Sequence, residues 1–223
     1  MLISRLLPKF LCLFIAATAF AQLQSPDAFL PHNIGEQFTA HHQLVDYFQH
    51  IAANSDHVQL TQYGTTNEDR PLLLAYVSTP ENLARLEELR QNHLRKAGML
   101  PGAVQREADV AIVWLSFSVH GNEAAGSEAA HRVVYELANP ENQASKEWLK
   151  NTIVIIDPAL NPDGYSRYTS WYRQVANKIP NPNQLSWEHR EPWPGGRTNH
   201  YYFDLNRDWV WATQRETRQR LPY

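Results

Sequence analysis

His120 and Glu123 stand three residues apart in Ser-Val-His-Gly-Asn-Glu-Ala-Ala-Gly, residues 118–126. An imidazole nitrogen and a carboxylate oxygen at that spacing can converge on one cation, and Zn2+ takes both donor types while keeping a position open for water. Gly121 permits a sharp turn between them, and Ala124, Ala125 and Gly126 let the following backbone pack closely. Taken alone, H-x-x-E occurs by chance in many chains, and two polar residues at a strand end need not hold anything. Here the pair follows a long apolar run, Ala-Asp-Val-Ala-Ile-Val-Trp-Leu-Ser-Phe-Ser over 108–118. Ligands of open α/β sheets gather beyond the carboxyl ends of strands, so the placement gives the pair chemical weight.

The elements that must position these residues are legible as periodicity and punctuation. Leu44, Val45, Phe48, Ile51 and Ala52 recur at helical spacing within 38–55, with Thr39 as a candidate N-cap. Residues 57–64 and Leu72–Ser78 read as two strands of a hairpin-like pair. Thr79 as cap, Pro80 at the first helical position and Gly98 as stop mark a helix between them. The apolar runs 108–118 and 151–157 predict buried strands, the second leaving through Pro158 into a turn. Residues 126–139 predict a helix, and 177–200 a Pro- and Gly-rich loop of the kind that is functional when it is long. A strand end over 201–209 and a helix starting at Asp208 follow. Strands alternating with helices predict an α/β fold: a mixed, mostly parallel central sheet with helices on both faces.

Composition excludes several classes. The 223 residues are 43% hydrophobic and 19% charged, a globular balance. The net charge of −3 offers no electrostatic grip on nucleic acid or anionic lipid. Arg5, Lys9, the apolar run Phe10–Phe20 and the small-x-small Ala19-Phe20-Ala21 predict a secretory signal peptide over residues 1–21, cut before Gln22. The expected product is secreted or periplasmic, with no membrane anchor after cleavage. The only cysteine, Cys12, lies inside that leader, so a metal in the mature chain must be held by His, Asp and Glu.

Read together, His-Gly-Asn-Glu (120–123), Asn-Pro-Asp-Gly-Tyr (161–165) and Asp-Leu-Asn-Arg-Asp-Trp (204–209) resemble the zinc carboxypeptidases, the carboxypeptidase A-like metallopeptidases. Tyr-Gly-Thr-Thr-Asn-Glu-Asp-Arg (63–70), before an apolar strand, is similar to an early turn of that family. The resemblance covers about residues 40–215 and implies one Zn2+ per domain and a peptide substrate with a free C-terminal carboxylate. It implies His120 and Glu123 as metal ligands, and Asp204 as the carboxylate that hydrogen-bonds His120. Asn206 and Arg207 match the pair that recognises the substrate carboxylate, a role that suits an amide donor and a guanidinium fork. Arg207 could instead pair with neighbouring Asp208. Arg173 matches an arginine that polarises the scissile carbonyl, although Trp-Tyr-Arg-Gln departs from the family's usual Trp-Arg-x-x-Arg. Asn122 replaces the arginine of digestive members. Trp171, Tyr172, Trp187, Trp193, Tyr201 and Tyr202 could wall a substrate or simply pack loops.

The resemblance also implies a third ligand histidine beyond the Asn-Arg-Asp segment, then a glutamate base and a tyrosine further on still; no histidine follows Arg207 here. Residues 22–223 are therefore expected to be the N-terminal part of a catalytic domain, with the third ligand beyond Tyr223, an exposed apolar sheet edge or face, and little activity alone. His131, His189 and His200 are the substitutes available within the chain. Two alternatives remain open: a zinc amidohydrolase acting on peptidoglycan stem peptides or acylated amino acids, and a non-catalytic binding remnant.

Overall fold

The computed structural model describes residues 23–106 and 110–223. The leader expected over 1–21 lies outside the described residues. Four strands form one sheet: β1 (Val58–Thr65), β2 (Pro71–Val77), β3 (Ala111–Ser116) and β4 (Thr152–Asp157), in the order β1-β2-β4-β3. The sheet is mixed. β1–β2 and β2–β4 run antiparallel, and within these four strands the parallel share is the β3–β4 pair.

Alternation along the strands sorts side chains to two faces. Leu73, Ala75 and Val77 of β2 join Val154 and Ile156 of β4 on one face. They are covered by α2 (His41–Asn54) through Leu44, Phe48 and Ile51, and by α5 (Ala125–Ala138) through Ala130 and Val134. Leu72, Leu74, Ile153 and Ile155 point the other way, where Leu89 of α4 (Leu86–Lys96) meets them. The helix expected between Thr79 and Gly98 is broken in two. Thr79 caps a single turn, α3 (Pro80–Leu83), and the chain restarts after Arg85.

Further elements differ from the sequence reading. The strand end expected over 201–209 is instead a 3-10 turn, Leu205–Arg207, and the helix expected from Asp208 begins at Arg215. Thr39 does not cap α2: its hydroxyl and amide both donate to the buried Glu128, and the amide of Ala40 is met by Gln43. The run read as a buried strand is an edge strand, since among the described residues β3 pairs only with β4. Ile112, Val113 and Trp114 are 36%, 41% and 38% exposed, because among the described residues no strand pairs along their outer side and α4 covers Ile112 and Trp114 only in part. Asn161-Pro162-Asp163-Gly164, read as a turn, is the start of α7 (Pro162–Val175). Asn161 Oδ1 accepts the Gly164 amide, and Pro162 occupies the first turn, where a missing N–H costs nothing. Between α5 and β4 lies α6 (Gln143–Leu149), and the chain closes with α8 (Arg215–Arg220).

The parallel pair decides where the chemistry sits. β3 and β4 end side by side, with Ser116 opposite Asp157, and their exits stay bonded: Leu160 donates to the Phe117 carbonyl and Asn161 to that of Ser118. The segments leading to α5 and α7 therefore leave the sheet at the same edge.

Candidate active site

His120 is buried at the β3 exit, and both ring nitrogens face carboxylates. Nδ1 lies 2.9 Å from Oε1 of Glu123, and Nε2 lies 3.0 Å from Oδ1 of Asp204. A neutral imidazole has one N–H. With that proton on Nε2, donated to Asp204, the Nδ1 lone pair and the Glu123 carboxylate are two donors converging on one point. Such a pair accepts a cation between them, so the donor chemistry fits two ligands of a zinc ion.

Asp204 is itself firmly placed. Its Oδ1 accepts the Asn206 amide at 3.0 Å, capping the 3-10 turn Leu205–Arg207, and its Oδ2 accepts Arg197 Nη2 at 3.0 Å. Burial alone would raise the Asp204 carboxyl. The Asn206 amide, His120 and Arg197 together outweigh it and hold the group below the usual carboxylate range.

Three glycines bring the site's segments into backbone contact. A Cβ on Gly121 would lie 2.0 Å from the Tyr165 nitrogen, 2.2 Å from the Gly164 carbonyl carbon and 2.6 Å from the Gly196 oxygen. Only a residue without Cβ lets these chains meet. Glu191 staples the same junction, accepting Asn122 Nδ2 at 2.9 Å and the Gly196 amide. Asn161 Nδ2 and Arg167 bind the carbonyls of Arg197 and Gly195. Much of the Pro- and Gly-rich loop is thus tied to α7, and Arg197 is delivered to Asp204. Sequence reasoning missed Arg197; Gly195-Gly196 just before it is the local signal of a close approach.

Asn206 and Arg207 sit on the turn beside Asp204. Asn206 Oδ1 accepts the Trp209 indole N–H at 2.9 Å. Arg207 is exposed, and its Nη1 reaches only the Asn206 carbonyl at 3.3 Å. It does not pair with Asp208, which is buried and spends its carboxylate on the Thr213 amide and hydroxyl and the Gln214 amide. Arg173 has no contact with His120, Glu123 or Asp204. Its guanidinium donates to the Phe38 carbonyl at 3.2 and 2.8 Å, and Phe38 lines the cleft that also contains Ser118, Asn122 and Glu123. Tyr168 gathers Phe38, Trp171 and Tyr172 around it, whereas Trp193 and Tyr202 pair in the open.

No substitute histidine meets the pair. His131 is buried against Tyr47 and Phe48, with Nδ1 on the Ser127 carbonyl. His189 binds the Asn181 carbonyl, and His200 binds Glu68. Glu68, Asp163 and His200 form the group of three metal-ligating side chains found among the described residues. Arg70 Nη1 already bridges two of the three, 2.5 Å from Glu68 Oε2 and 2.7 Å from Asp163 Oδ1, so these carboxylates are met by a guanidinium.

A family model for zinc carboxypeptidases matches residues 44–222. The chain belongs to the zinc carboxypeptidase family. A search of curated protein sequences finds no match. Among solved structures, a protein assigned as carboxypeptidase A from Shewanella denitrificans is 17% identical, with a TM-score of 0.51 over 82% of this chain and 36% of its own. A metallo-carboxypeptidase from Burkholderia cenocepacia is 18% identical, with a TM-score of 0.47 over 76% of this chain and 32% of its own. Carboxypeptidase A from Helicoverpa armigera is 16% identical, with a TM-score of 0.46 over 75% and 30%. This zinc carboxypeptidase chain spans about a third of the length of the solved structures it matches.

Proposed function

We propose that the chain carries two metal ligands and the substrate-carboxylate clamp of a zinc metallocarboxypeptidase that removes C-terminal residues from peptides. The observation that carries this reading is the His120 imidazole held between Glu123 and Asp204, beside the Asn206-Arg207 turn. His120 and Glu123 would hold the zinc. Bound there, Zn2+ would polarise the scissile carbonyl and lower the pKa of a water molecule toward neutrality. A third ligand and a proton-accepting carboxylate would come from outside the described residues.

This chain's own residues do the rest. Asp204 accepts the Nε2–H of His120, which fixes the tautomer and leaves Nδ1 free to ligate. Arg207 carries a charge with no carboxylate partner among the described residues, and it would take the substrate's terminal carboxylate as a fork. Asn206 would add an amide donor. Negative charge developing on the carbonyl oxygen needs a cation nearby. Arg197, one carboxylate removed from His120, is better placed for that than Arg173, whose guanidinium is spent on Phe38. The expected leader would deliver the enzyme to the periplasm or the exterior.

In the full-length, zinc-loaded enzyme, Arg207→Ala is expected to cut kcat/KM on free-carboxylate peptides by ~10–100-fold, the worth of charge-assisted hydrogen bonds. Equal hydrolysis of free and amidated C-termini by the unmodified enzyme would overturn the clamp.

A further inference from the structure

We infer that Trp209 is a positioning residue for substrate recognition: its indole N–H turns the Asn206 amide so that Nδ2 faces the substrate carboxylate. The inference rests on the proposed role of Asn206 and Arg207 and adds to it the group that sets the amide's direction. An asparagine amide has an acceptor end and a donor end of nearly the same shape, so its orientation must come from its partners. The Trp209 indole nitrogen donates only, and it lies 2.9 Å from Asn206 Oδ1. That bond consumes the acceptor end and leaves both Nδ2 protons to face outward. A carboxylate accepts only. An amide turned the other way would set acceptor against acceptor at the clamp.

The indole is in turn held from behind. The Arg220 guanidinium carbon stands 4.5 Å from the ring centroid, a cation–π contact, and Arg220 is itself buried. Arg220 pairs at 3.7 Å with Asp157, wholly buried at the end of β4. Asp157, Arg220, Trp209 and Asn206 therefore form a chain of contacts from the end of the sheet to the clamp. The last link is local in sequence: Asn206 lies within the 3-10 turn Leu205–Arg207, and Trp209 follows directly after its cap, Asp208.

The test uses this chain and two probes, N-acetyl-Gly-Phe as free acid and as C-terminal amide, titrated by calorimetry. The unmodified chain is expected to prefer the acid. Trp209→Phe keeps the ring over Arg220 but removes the N–H. It is expected to reduce that preference by about tenfold, leave amide affinity unchanged, and add no further loss in an Asn206→Ala background. A Trp209→Phe chain that keeps the full preference while Arg207→Ala loses it would overturn the inference and spare the clamp. Acid and amide binding alike in the unmodified chain would overturn both. A second readout needs no variant: on adding acid, but not amide, the Asn206 side-chain NH2 signals should shift while the Trp209 indole proton stays slow to exchange. Unmoved Asn206 signals would count against the inference.

Discussion

Asp204 Oδ1 lies 3.0 Å from His120 Nε2, although the two residues are 84 positions apart in the chain. The contact turns a histidine at a strand exit into an oriented donor, because the proton given to Asp204 leaves the lone pair on the side of Glu123. An oriented ligand should bind metal more tightly than a free-turning one. Replacing such an outer partner typically costs 10–100-fold in metal affinity, so Asp204→Ala should weaken zinc binding by about that factor. Asp204→Asn should lose less, since an amide oxygen still accepts the Nε2–H. Zinc titration against a competing chelator reads the difference. Identical affinity in all three proteins would leave His120 without need of its partner.

The glycine junction predicts a sharp contrast between neighbours. Gly121→Ala would drive a Cβ to within 2.0–2.6 Å of three backbone atoms of other segments, which no rotamer change can relieve. A loss of about 3 kcal/mol or more is expected, together with loss of metal binding. Gly126, five residues on, sits inside α5, with its nearest would-be contact at 3.5 Å, an ordinary van der Waals distance. Gly126→Ala should be neutral or stabilise the chain by up to ~1 kcal/mol, the gain in helix propensity. Urea midpoints of the two variants decide it. Equal effects would mean that the segments do not meet as described.

Much of this arrangement was legible in the sequence, for a physical reason. Buried strands and amphipathic helices announce themselves through periodicity, and β2, β4, α2 and α5 were read that way. His120 and Glu123 were legible as types and spacing and Asp204 through the family resemblance of its motif, and the three lie together. What was not legible is whatever depends on neighbours distant in sequence. The apolar run of β3 does not reveal that, among the described residues, only β4 pairs with it. Asn161-Pro162 serves a turn or a helix start equally well until the chain beyond it is placed. Arg197 lies in a loop without periodicity, and its delivery to Asp204 depends on carbonyl contacts from Asn161 and Arg167.

The open edge of β3 predicts how the chain behaves at high concentration. Ile112 and Trp114 project on the face that α4 only partly covers, beside an unpaired row of backbone groups. Such edges recruit other chains, and a single lysine on them blunts the tendency. Ile112→Lys should lower concentration-dependent association, measured by light scattering, while changing the urea midpoint little. Association that is unchanged in this variant would point to another surface, such as the exposed Trp193 and Tyr202 pair.

Two buried groups pull the pH dependence of stability in opposite directions. Burial pushes the Asp157 carboxyl up to about 7, with Arg220 and Tyr63 opposing the rise. In the unfolded chain it would titrate near its ordinary value of 3.8. Between those values the folded state binds the extra proton, so this group's contribution falls as pH rises from about 4 to 7. Burial pushes His41 down to about 4, aided by Arg70 and His42. There the unfolded state binds the extra proton between about 4 and 6.5, so stability from this group grows with pH and is lost on acidification. Each slope approaches ~1.4 kcal/mol per pH unit at mid-window, and the two nearly cancel in the native chain. Asp157→Asn keeps an acceptor for the Tyr63 hydroxyl but removes the falling slope. The variant should therefore gain stability relative to the native chain as pH rises from 4.5 to 6.5. His41→Gln should do the reverse. Urea midpoints at pH 4.5, 5.5 and 6.5 test both, and an Asp157→Asn profile parallel to the native one would mean that Asp157 is already ionised in the folded chain across this range.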